Sequence, residues 1–417
     1  MIEGQDDERA AIRGAGAQAT QPTEREDGYL LCEFMHDAGT GVAGCTDHGI
    51  MTARRSSRPV DRAVELTPMI DSPDRLRASL TWQEASTSGA AVRASLAVGR
   101  DGAGWLRSLS GPNVQVVYSG AGSSYYLALA AASAHRSLLG RPATAIPPSE
   151  LLIRPGSALG RARPEDRPII AISRSGSTSE IVRLVERSVA EGRRTTGITC
   201  RADSPLATLA DRTLVSPAGD ERAIVMTRSF TSMLALVLRA IAGAAADDGV
   251  EGADRVSAAL EDLPTLWAST RPAVERGFEL AAQSWLRIVV LGGGAAFGLA
   301  SEACLKLTEM SQVAANAWEP FEFRHGPISV CEPGVLVVGL IGGDGLDEER
   351  RVLDESSRLG ATIWALDPET LGGTLDGLAR LPLLMPPLQA LAIGHAFARG
   401  VDPDRPRHLS QVVTLPG

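Results

Sequence analysis

The chain contains a single lysine, Lys306, and two glutamates share a predicted helix face with it. Of the 41 lysines and arginines in the sequence, the other 40 are arginine. A position that stays lysine against this background is a candidate for a role that needs a compact ammonium rather than a planar guanidinium. Glu302 lies four residues before Lys306, and Glu309 lies seven residues after Glu302, so the three fall on one side of a helix. An ammonium beside two carboxylates can support proton transfer.

A solvated stripe of salt bridges is the simpler interpretation of such a triplet. The residues between the charged positions include Ala303, Leu305 and Leu307, which are apolar. A buried, functional cluster is therefore the favoured interpretation.

Two serine-rich segments each follow a predicted strand. Val114–Ser119 leads into Gly122-Ser123-Ser124 and a predicted helix over Tyr125–Leu139. Pro168–Ser173 leads into Ser173-Arg174-Ser175-Gly176-Ser177-Thr178. Hydroxyls and backbone N–H groups at the start of a helix can bind an anion such as a phosphate monoester. Ordinary N-capping serines are the alternative, but two such turns at one sheet edge favour a ligand site. Neither segment has the spacing of a nucleotide-binding loop.

A third polar cluster, Glu319–Pro327, is predicted to be a charged loop. Within it His325 precedes Gly326-Pro327, and a fixed turn of this kind suits a positioned acid or base. A lone histidine in a loop is more often without such a role. The remaining histidines are interpreted as structural or solvated: His36, His48, His135, His395 and His408.

The elements that must position these residues follow a repeating pattern of strand, polar turn and helix. The predicted strands of the first half are Val114–Ser119, Pro168–Ser173 and Thr195–Cys200, and those of the second half are Arg287–Gly292, Val335–Ile341 and Ala361–Leu366. Short connections between such units indicate parallel sheets with helices on both faces. Two copies predict an α/β fold of two doubly wound subdomains related by a pseudo-twofold axis. Ligands of such sheets bind at the carboxyl ends of the strands.

Changes in pattern along the chain predict its domain organisation. Residues 1–68 show no sustained period and are interpreted as a disordered segment or an extension. A helical segment is predicted over 69–108, a first subdomain over 109–248, a second subdomain with linking helices over 249–400, and a tail over 401–417.

Composition excludes several classes of protein. A net charge of −9 and a pI near 5.3, without a basic cluster, argue against nucleic acid as a partner. Five scattered cysteines without CxxC spacing fit a reducing compartment, and they argue against a disulfide framework or structural zinc. The sequence shows no uninterrupted apolar run of about 18 residues and no signal peptide. A cytoplasmic protein without a membrane partner is therefore expected.

Five motifs together resemble the SIS (sugar isomerase) domain family. They are Gly122–Ser124, Ser173–Thr178, Met226–Thr231, Glu302–Glu309 and Arg324–Pro327. The similarity covers about residues 70–417 and is greatest to the tandem-SIS group, which holds the isomerase half of glucosamine-6-phosphate synthase, SIS-type glucosamine-6-phosphate deaminases and AgaS-like ketose/aldose isomerases. The resemblance implies flavodoxin-like subdomains, a homodimer and a phosphosugar ligand, with no metal or organic cofactor.

The resemblance also implies roles for individual residues. Glu309 is expected to move a proton between C1 and C2, and His325 of the neighbouring subunit to open the sugar ring. Glu302 and Lys306 are expected to line the same site. The residues expected to hold the phosphosugar are Ser123, Ser124, Ser173, Arg174, Ser175 and Thr178.

Two departures from the family pattern bear on activity. Residue 2 is Ile rather than the cysteine of a glutaminase domain, and the leader is short, so no glutaminase activity is expected. In many relatives a lysine follows the Leu-Ser or Leu-Ala pair of the C-terminal tail, whereas this chain has Gln411. Glutamine forms hydrogen bonds but supplies neither a charge nor an imine.

The sequence therefore predicts an enzyme that isomerises or deaminates a hexose 6-phosphate or amino-sugar 6-phosphate. The alternative, which Gln411 keeps open, is a non-catalytic phosphosugar sensor or regulatory protein. The identity of the sugar and the choice between isomerase and deaminase also stay open.

Overall fold

The computed structural model describes residues 73–412 except Thr374 and Asp376. The predicted extension over residues 1–68 and the end of the predicted tail lie outside the described residues. The described part begins with three helices where the sequence pattern predicted one helical segment: α1 Pro73–Ala78, α2 Leu80–Ser86 and α3 Ser88–Leu109.

The first sheet is parallel and has five strands in the order β2-β1-β3-β4-β5. This is the flavodoxin-like order, in which the first strand lies between the second and the third. Its elements are β1 Val116–Gly120, α4 Ser123–Leu139, β2 Ala143–Ala145, α5 Pro148–Ile153, α6 Pro155–Leu159, β3 Ile169–Ile172, α7 Ser179–Ala190, β4 Thr195–Thr199, α8 Pro205–Leu209 and β5 Arg212–Val215.

Three helices connect the two sheets: α9 Arg228–Asp247, α10 Ala253–Leu266 and α11 Arg271–Ala281. The second sheet is parallel as well, with the order β7-β6-β8-β9, which repeats the start of the first. Its elements are β6 Arg287–Gly292, α12 Ala296–Lys306, a π-helical turn Leu307–Ser311, β7 Ala315–Trp318, α13 Pro320–Arg324, β8 Val335–Leu340, α14 Leu346–Arg358, β9 Thr362–Leu366 and α15 Gly377–Ala398. The predicted α/β class with two doubly wound subdomains is confirmed.

The central strands are buried on both faces, and successive side chains point to opposite faces of the sheet, as the pleat of a strand requires. Val116 and Tyr118 of β1 face a large core that also includes α4, α9, α12 and α15, whereas Val117 faces a smaller cluster on the other side of the sheet. In β6, Ile288 and Val290 face the large core in the same way. One continuous core therefore joins the inner faces of both sheets.

Two helices are long and apolar enough to span a membrane by length and composition, α9 and α15, although the sequence analysis expected no such segment. Both lie inside the protein, with 89% of the apolar window of α9 and all of that of α15 buried. Helices that are apolar on every side are also typical of the core of a large globular fold. Their composition is explained by this burial.

Three strands were missed by the sequence analysis. β2 is only three residues long, and β5 and β7 carry polar or exposed residues such as Arg212, Asn316 and Trp318. None of them forms the continuous apolar run that marks a central strand. The predicted loop over Glu319–Pro327 instead contains the short helix α13.

Candidate active site

The candidate site lies where β1 and β3 end. These neighbouring strands are paired in register from Val117 opposite Ile169 to Gly120 opposite Ile172. The chain leaves β1 and β3 toward helices α4 and α7, so the two serine-rich turns lie side by side. This is the position at which the strand order of the sheet reverses and at which doubly wound folds bind ligands.

Close backbone packing fixes the first turn. A Cβ atom on Gly120 would lie 2.4 Å from the backbone carbon and oxygen of Ser124, so only glycine allows this approach. Ser123 and Ser124 are the first residues of α4, whereas the sequence analysis began this helix at Tyr125. Both serines are buried, and they sit at the helix end that carries partial positive charge.

The second turn forms a compact set of hydrogen-bond donors before α7. The hydroxyls of Ser173 and Thr178 lie 3.1 Å apart, and the Gly176 N–H donates to the Ser173 Oγ. The Ser177 N–H donates to the Ser175 Oγ. Gly176 has a φ of +62°, and a Cβ there would collide with Ser204, so glycine is required. Hydroxyls and amides around a helix start can bind a phosphate oxygen.

The predicted charged cluster lies on α12 and the turn that follows it. Lys306 Nζ lies 2.6 Å from Glu309 Oε2 and 3.3 Å from Glu302 Oε1. It also donates to the Ser123 Oγ at 3.1 Å. Glu309 lies in the π-helical turn, a rare geometry that is frequent at functional sites. The prediction that these three charged residues meet on one side of the helix is confirmed.

The α12 cluster reaches the first turn because α12 packs closely against α4. A Cβ on Gly298 would lie 2.5 Å from the backbone oxygen of Tyr126 and 2.8 Å from the backbone nitrogen of Ala130. The absence of a side chain at this position lets the two helix backbones approach. Lys306 at the end of α12 consequently reaches Ser123 at the start of α4.

Burial strongly affects the charges of this cluster. Glu302 is fully buried, and this burial raises its pKa to about 8, while the Lys306 ammonium opposes the rise and the charge of Glu309 adds to it. Neither carboxylate oxygen of Glu302 has a well-aligned hydrogen-bond donor among the described residues. Burial alone would lower the pKa of Lys306, but the two carboxylates outweigh it and raise that pKa, so the ammonium stays protonated.

Two buried carboxylates that the sequence analysis missed hold the loop 221–227 beside these turns. Glu221 accepts hydrogen bonds from the backbone N–H groups of Thr227 and Arg228 and from the Ser229 hydroxyl. Glu84 of α2 accepts from the N–H groups of residues 222 and 223. Burial raises the pKa of Glu221, although Arg174 and these hydrogen bonds oppose the rise. The sequence alone does not distinguish a buried glutamate that binds loop amides from a glutamate exposed on the surface.

The C-terminal tail passes over the same region and is held at several points. Asp404 accepts hydrogen bonds from the backbone N–H groups of Leu80 and Thr81 and from two hydroxyls of α2 and its cap. Arg407 donates to Gln312, directly after the π-helical turn. Gln411 Nε2 donates to the Glu221 carbonyl at 2.9 Å. The tail thus contacts α2, the end of the lysine helix and the loop 221–227.

These segments enclose a cavity of about 200 Å³. Nine of the predicted site residues line it: Ser123, Ser124, Ser173, Arg174, Ser175, Thr178, Lys306, Glu309 and Gln411. Further lining residues were not predicted, among them Glu180, Ile224, Val225, Met226 and Leu409. Glu302 lies directly behind Lys306. The cavity therefore brings the two hydroxyl-rich turns and the charged cluster of α12 together.

His325 does not line this cavity in its own chain. It is exposed and follows α13, at a site where Phe321 and Trp318 are exposed as well. The expectation that a neighbouring subunit supplies this histidine stays a prediction.

A larger cavity of about 330 Å³ lies at the corresponding edge of the second sheet. Its polar side chains include Glu349 and the buried Arg380, and leucines line much of the rest. Glu349 accepts a hydrogen bond from the Gly342 N–H, so an internal carboxylate occupies part of the turn after β8. This edge has no counterpart of the hydroxyl turn 173–178 within the described residues, so the first sheet carries the candidate site.

Comparison with known proteins agrees with this description. Residues 108–242 match the SIS domain family model. The isomerizing glutamine–fructose-6-phosphate aminotransferase of Thermococcus kodakarensis is 29% identical over 320 residues, which are 72% of this chain and 52% of that protein. The chain thus spans about half the length of such curated relatives.

Solved structures share the fold over most of the chain. Glucosamine-6-phosphate deaminase from Thermotoga maritima has 28% sequence identity and a TM-score of 0.62, covering 77% of this chain and all of that one. Tagatose-6-phosphate ketose/aldose isomerase from Escherichia coli has 23% identity and a TM-score of 0.67, covering 79% of this chain and 96% of that one. The deaminase is similar to this chain in both sequence and fold, whereas the similarity to the ketose/aldose isomerase is one of fold alone. The family match thus identifies a SIS domain over residues 108–242, and the solved structures share the fold of the paired flavodoxin-like sheets.

Proposed function

We propose that the protein binds a hexose 6-phosphate or amino-sugar 6-phosphate and catalyses its aldose–ketose isomerisation or its deamination. The observation that carries this proposal is the shared cavity, in which the Glu309 carboxylate and the Lys306 ammonium face two turns rich in hydroxyls. The relatives and solved neighbours act on sugar phosphates according to their names, which supports the same substrate class here.

The turn 173–178 is proposed to hold the phosphate. Hydroxyls of Ser173, Ser175 and Thr178 and the N–H groups at the start of α7 are donors that a phosphate oxygen can use. Held there, the sugar extends toward Ser123 and the lysine helix, which line another part of the cavity. A site built from neutral donors also releases its phosphate readily.

Glu309 is proposed as the base that moves a proton between C1 and C2. It is partly exposed to the cavity, whereas Glu302 is fully buried behind Lys306. The Lys306 ammonium lies 2.6 Å from Glu309 Oε2 and 3.3 Å from Glu302 Oε1, so it can hold the Glu309 carboxylate in place beside the cavity. It can also stabilise the oxyanion that develops on the sugar. The same proton transfer begins either an isomerisation or the loss of ammonia from C2.

His325 from a partner subunit is proposed as the acid/base that opens the sugar ring, in a homodimer. Its exposed position outside the cavity of its own chain supports such sharing. A cytoplasmic location and the absence of glutaminase activity likewise stay predictions.

A non-catalytic sensor is the second candidate, and the position of Gln411 favours it. The tail brings no cationic side chain into the lining of the cavity among the described residues, and the amide of Gln411 donates to a backbone carbonyl. If the chemistry requires a tail lysine, the protein binds its ligand without turnover.

The test is NMR of the protein with glucosamine 6-phosphate, galactosamine 6-phosphate and fructose 6-phosphate in deuterated water. Deuterium entering C1 or C2, or released ammonia, is the expected result and identifies the substrate class. Binding shifts without exchange on any of the sugars would favour the sensor. The absence of both binding and exchange would contradict a phosphosugar site.

A further inference from the structure

We infer that Arg174 is a positioning residue that fixes the C-terminal tail over the cavity, rather than a ligand for the phosphate. The inference rests on the proposed function only for the identity of the ligand. Its structural basis is a closed set of contacts among Arg174, Glu221 and Gln411.

The guanidinium of Arg174 is directed at protein oxygens. One terminal nitrogen, Nη1, donates to the carbonyls of Ala223 and Ile224 at 3.0 and 3.2 Å. The other, Nη2, donates to the backbone carbonyl of Gln411 at 2.8 Å. Three of the five N–H groups of an arginine are thus used by backbone carbonyls. The side chain is 5% exposed, so this arrangement is part of the interior.

Gln411 contacts both of the other residues, Arg174 and Glu221. Its side-chain amide donates to the Glu221 carbonyl, while its own carbonyl accepts from Arg174. The carboxylate of Glu221 in turn lies 3.7 Å from the Arg174 guanidinium. The three residues therefore form a ring that joins the turn 173–178, the loop 221–227 and the tail.

The loop side of this ring is rigidly held. Glu221 accepts hydrogen bonds from Thr227, Arg228 and Ser229, and Glu84 binds the next two amides of the loop. The tail side is held upstream by Asp404 and by Arg407. Between Arg407 and the ring, Leu409 and Ser410 line the cavity. Removal of Arg174 should therefore release the stretch of tail that covers the ligand.

Arginine suits this role because its planar guanidinium reaches several carbonyls at once. A lysine at the same position would keep the charge but could not span the carbonyls of Ala223, Ile224 and Gln411 in this geometry. If Arg174 instead bound the phosphate, a lysine at this position would keep part of that function, because it also carries a positive charge. Arg174→Lys and Arg174→Gln together therefore separate the two roles.

The experiment is limited proteolysis of the ligand-free protein with trypsin, followed by intact mass. Arg407–His408 is the cleavable bond of the tail, because proline follows Arg405 and blocks cleavage there. We expect loss of His408–Gly417 to become about tenfold faster or more in both Arg174→Gln and Arg174→Lys, since each lost hydrogen bond to a charged group is worth about that factor. Arg183→Gln, an exposed arginine on α7, is the matched control and should leave the rate unchanged.

Gln411→Ala is a second variant in case the buried arginine is needed for folding. It removes only the contact of the amide with Glu221, and cleavage should again become faster, by a smaller factor. Wild-type cleavage rates in a folded Arg174→Gln protein, or in Gln411→Ala, would overturn the inference. So would restoration of the wild-type rate by lysine. Because this readout needs no ligand, it can fail or succeed independently of the proposed enzymatic activity.

Discussion

At the scale of single residues, the candidate site depends on a buried ammonium between two carboxyl groups. Lys306 is 1% exposed, and Glu302 is fully buried. Charges removed from water in this way add little stability compared with apolar residues of similar size. Their presence beside an open cavity therefore points to chemistry, and perturbed pKa values in a cleft support the same interpretation.

Glu302→Gln should change how stability depends on pH. The pKa of Glu302 in the folded protein, about 8, lies above the ordinary value of 4.5. The folded state therefore favours the protonated form, and this contribution to stability is lost as the pH rises from the ordinary value through about 8. Glutamine cannot ionise. The unfolding free energy of the variant relative to wild type should thus increase between about pH 5 and pH 8, by on the order of a few kcal/mol at most.

Urea unfolding at both pH values measures this difference. Glu332→Gln serves as the control, because Glu332 is exposed on the loop before β8, and its difference from wild type should stay constant. A constant difference for Glu302→Gln as well would contradict a raised pKa for this buried carboxyl.

Much of this cluster could be predicted from the sequence, because the spacing of Glu302, Lys306 and Glu309 and the single lysine are visible there. The π-helical turn that carries Glu309 could not be, since it depends on a local change of hydrogen bonding within a helix. Glu84 and Glu221 were missed for a different reason. Their function is to bind backbone amides distant in sequence, and only the tertiary structure brings those amides to them.

At the scale of elements, the site depends on how closely α12 and α4 approach. Ser123 begins α4, Lys306 ends α12, and the contact between them joins the two halves of the chain. Gly298 makes the approach possible. Packing between helices, rather than the loops alone, therefore sets the distance between the hydroxyl turn and the charged cluster.

Gly298→Ala should move the helices apart. The added methyl would lie within 3 Å of Tyr126 and Ala130, so the unfolding free energy should fall by about 1–3 kcal/mol. Binding of glucosamine 6-phosphate should weaken too, as Lys306 moves away from Ser123. Calorimetric titration and urea unfolding measure the two effects.

Gly104→Ala is the matched control, because no atom lies within 4 Å of the added methyl on α3. It should stabilise the protein by about 0.4–1 kcal/mol without changing binding. Unchanged stability and binding in Gly298→Ala would show that helix packing does not position the site.

The long apolar strands were readable from the sequence, and β6 was predicted with its observed bounds, Arg287–Gly292. Boundaries beside the site were less accurate, because glycine and serine continue from the strand into the helix without a change of composition. The start of α4 at Ser123 is the clearest case, since the close contact of Gly120 with Ser124 draws these serines into the first helical turn.

At the scale of the whole molecule, two sheets of the same topology differ at their carboxyl edges. The first has the hydroxyl turn 173–178, and the second has Glu349 bound to the Gly342 N–H. The second half instead contributes the lysine helix to the cavity of the first. The tandem arrangement thus supplies one site from both halves.

The proposed sharing of His325 predicts complementation between two inactive proteins. Glu309→Gln and His325→Ala homodimers should each be inactive. After mixing, dissociation and reassociation, heterodimers contain one intact site, so activity should return to about a quarter of that of wild type. Mixtures of Glu309→Gln with wild type at matched ratios are the control for dilution. No recovery would place His325 outside the shared site.

The most direct test of the central claim is deuterium exchange into the sugar phosphate by wild type and by Glu309→Gln, each saturated with ligand and followed by NMR. We expect deuterium at C1 or C2 with wild type. With Glu309→Gln we expect exchange at least about 100-fold slower, because a general base typically contributes that factor or more, while ligand affinity stays within a few-fold. Exchange at the wild-type rate in Glu309→Gln would contradict the assignment of Glu309 as the base.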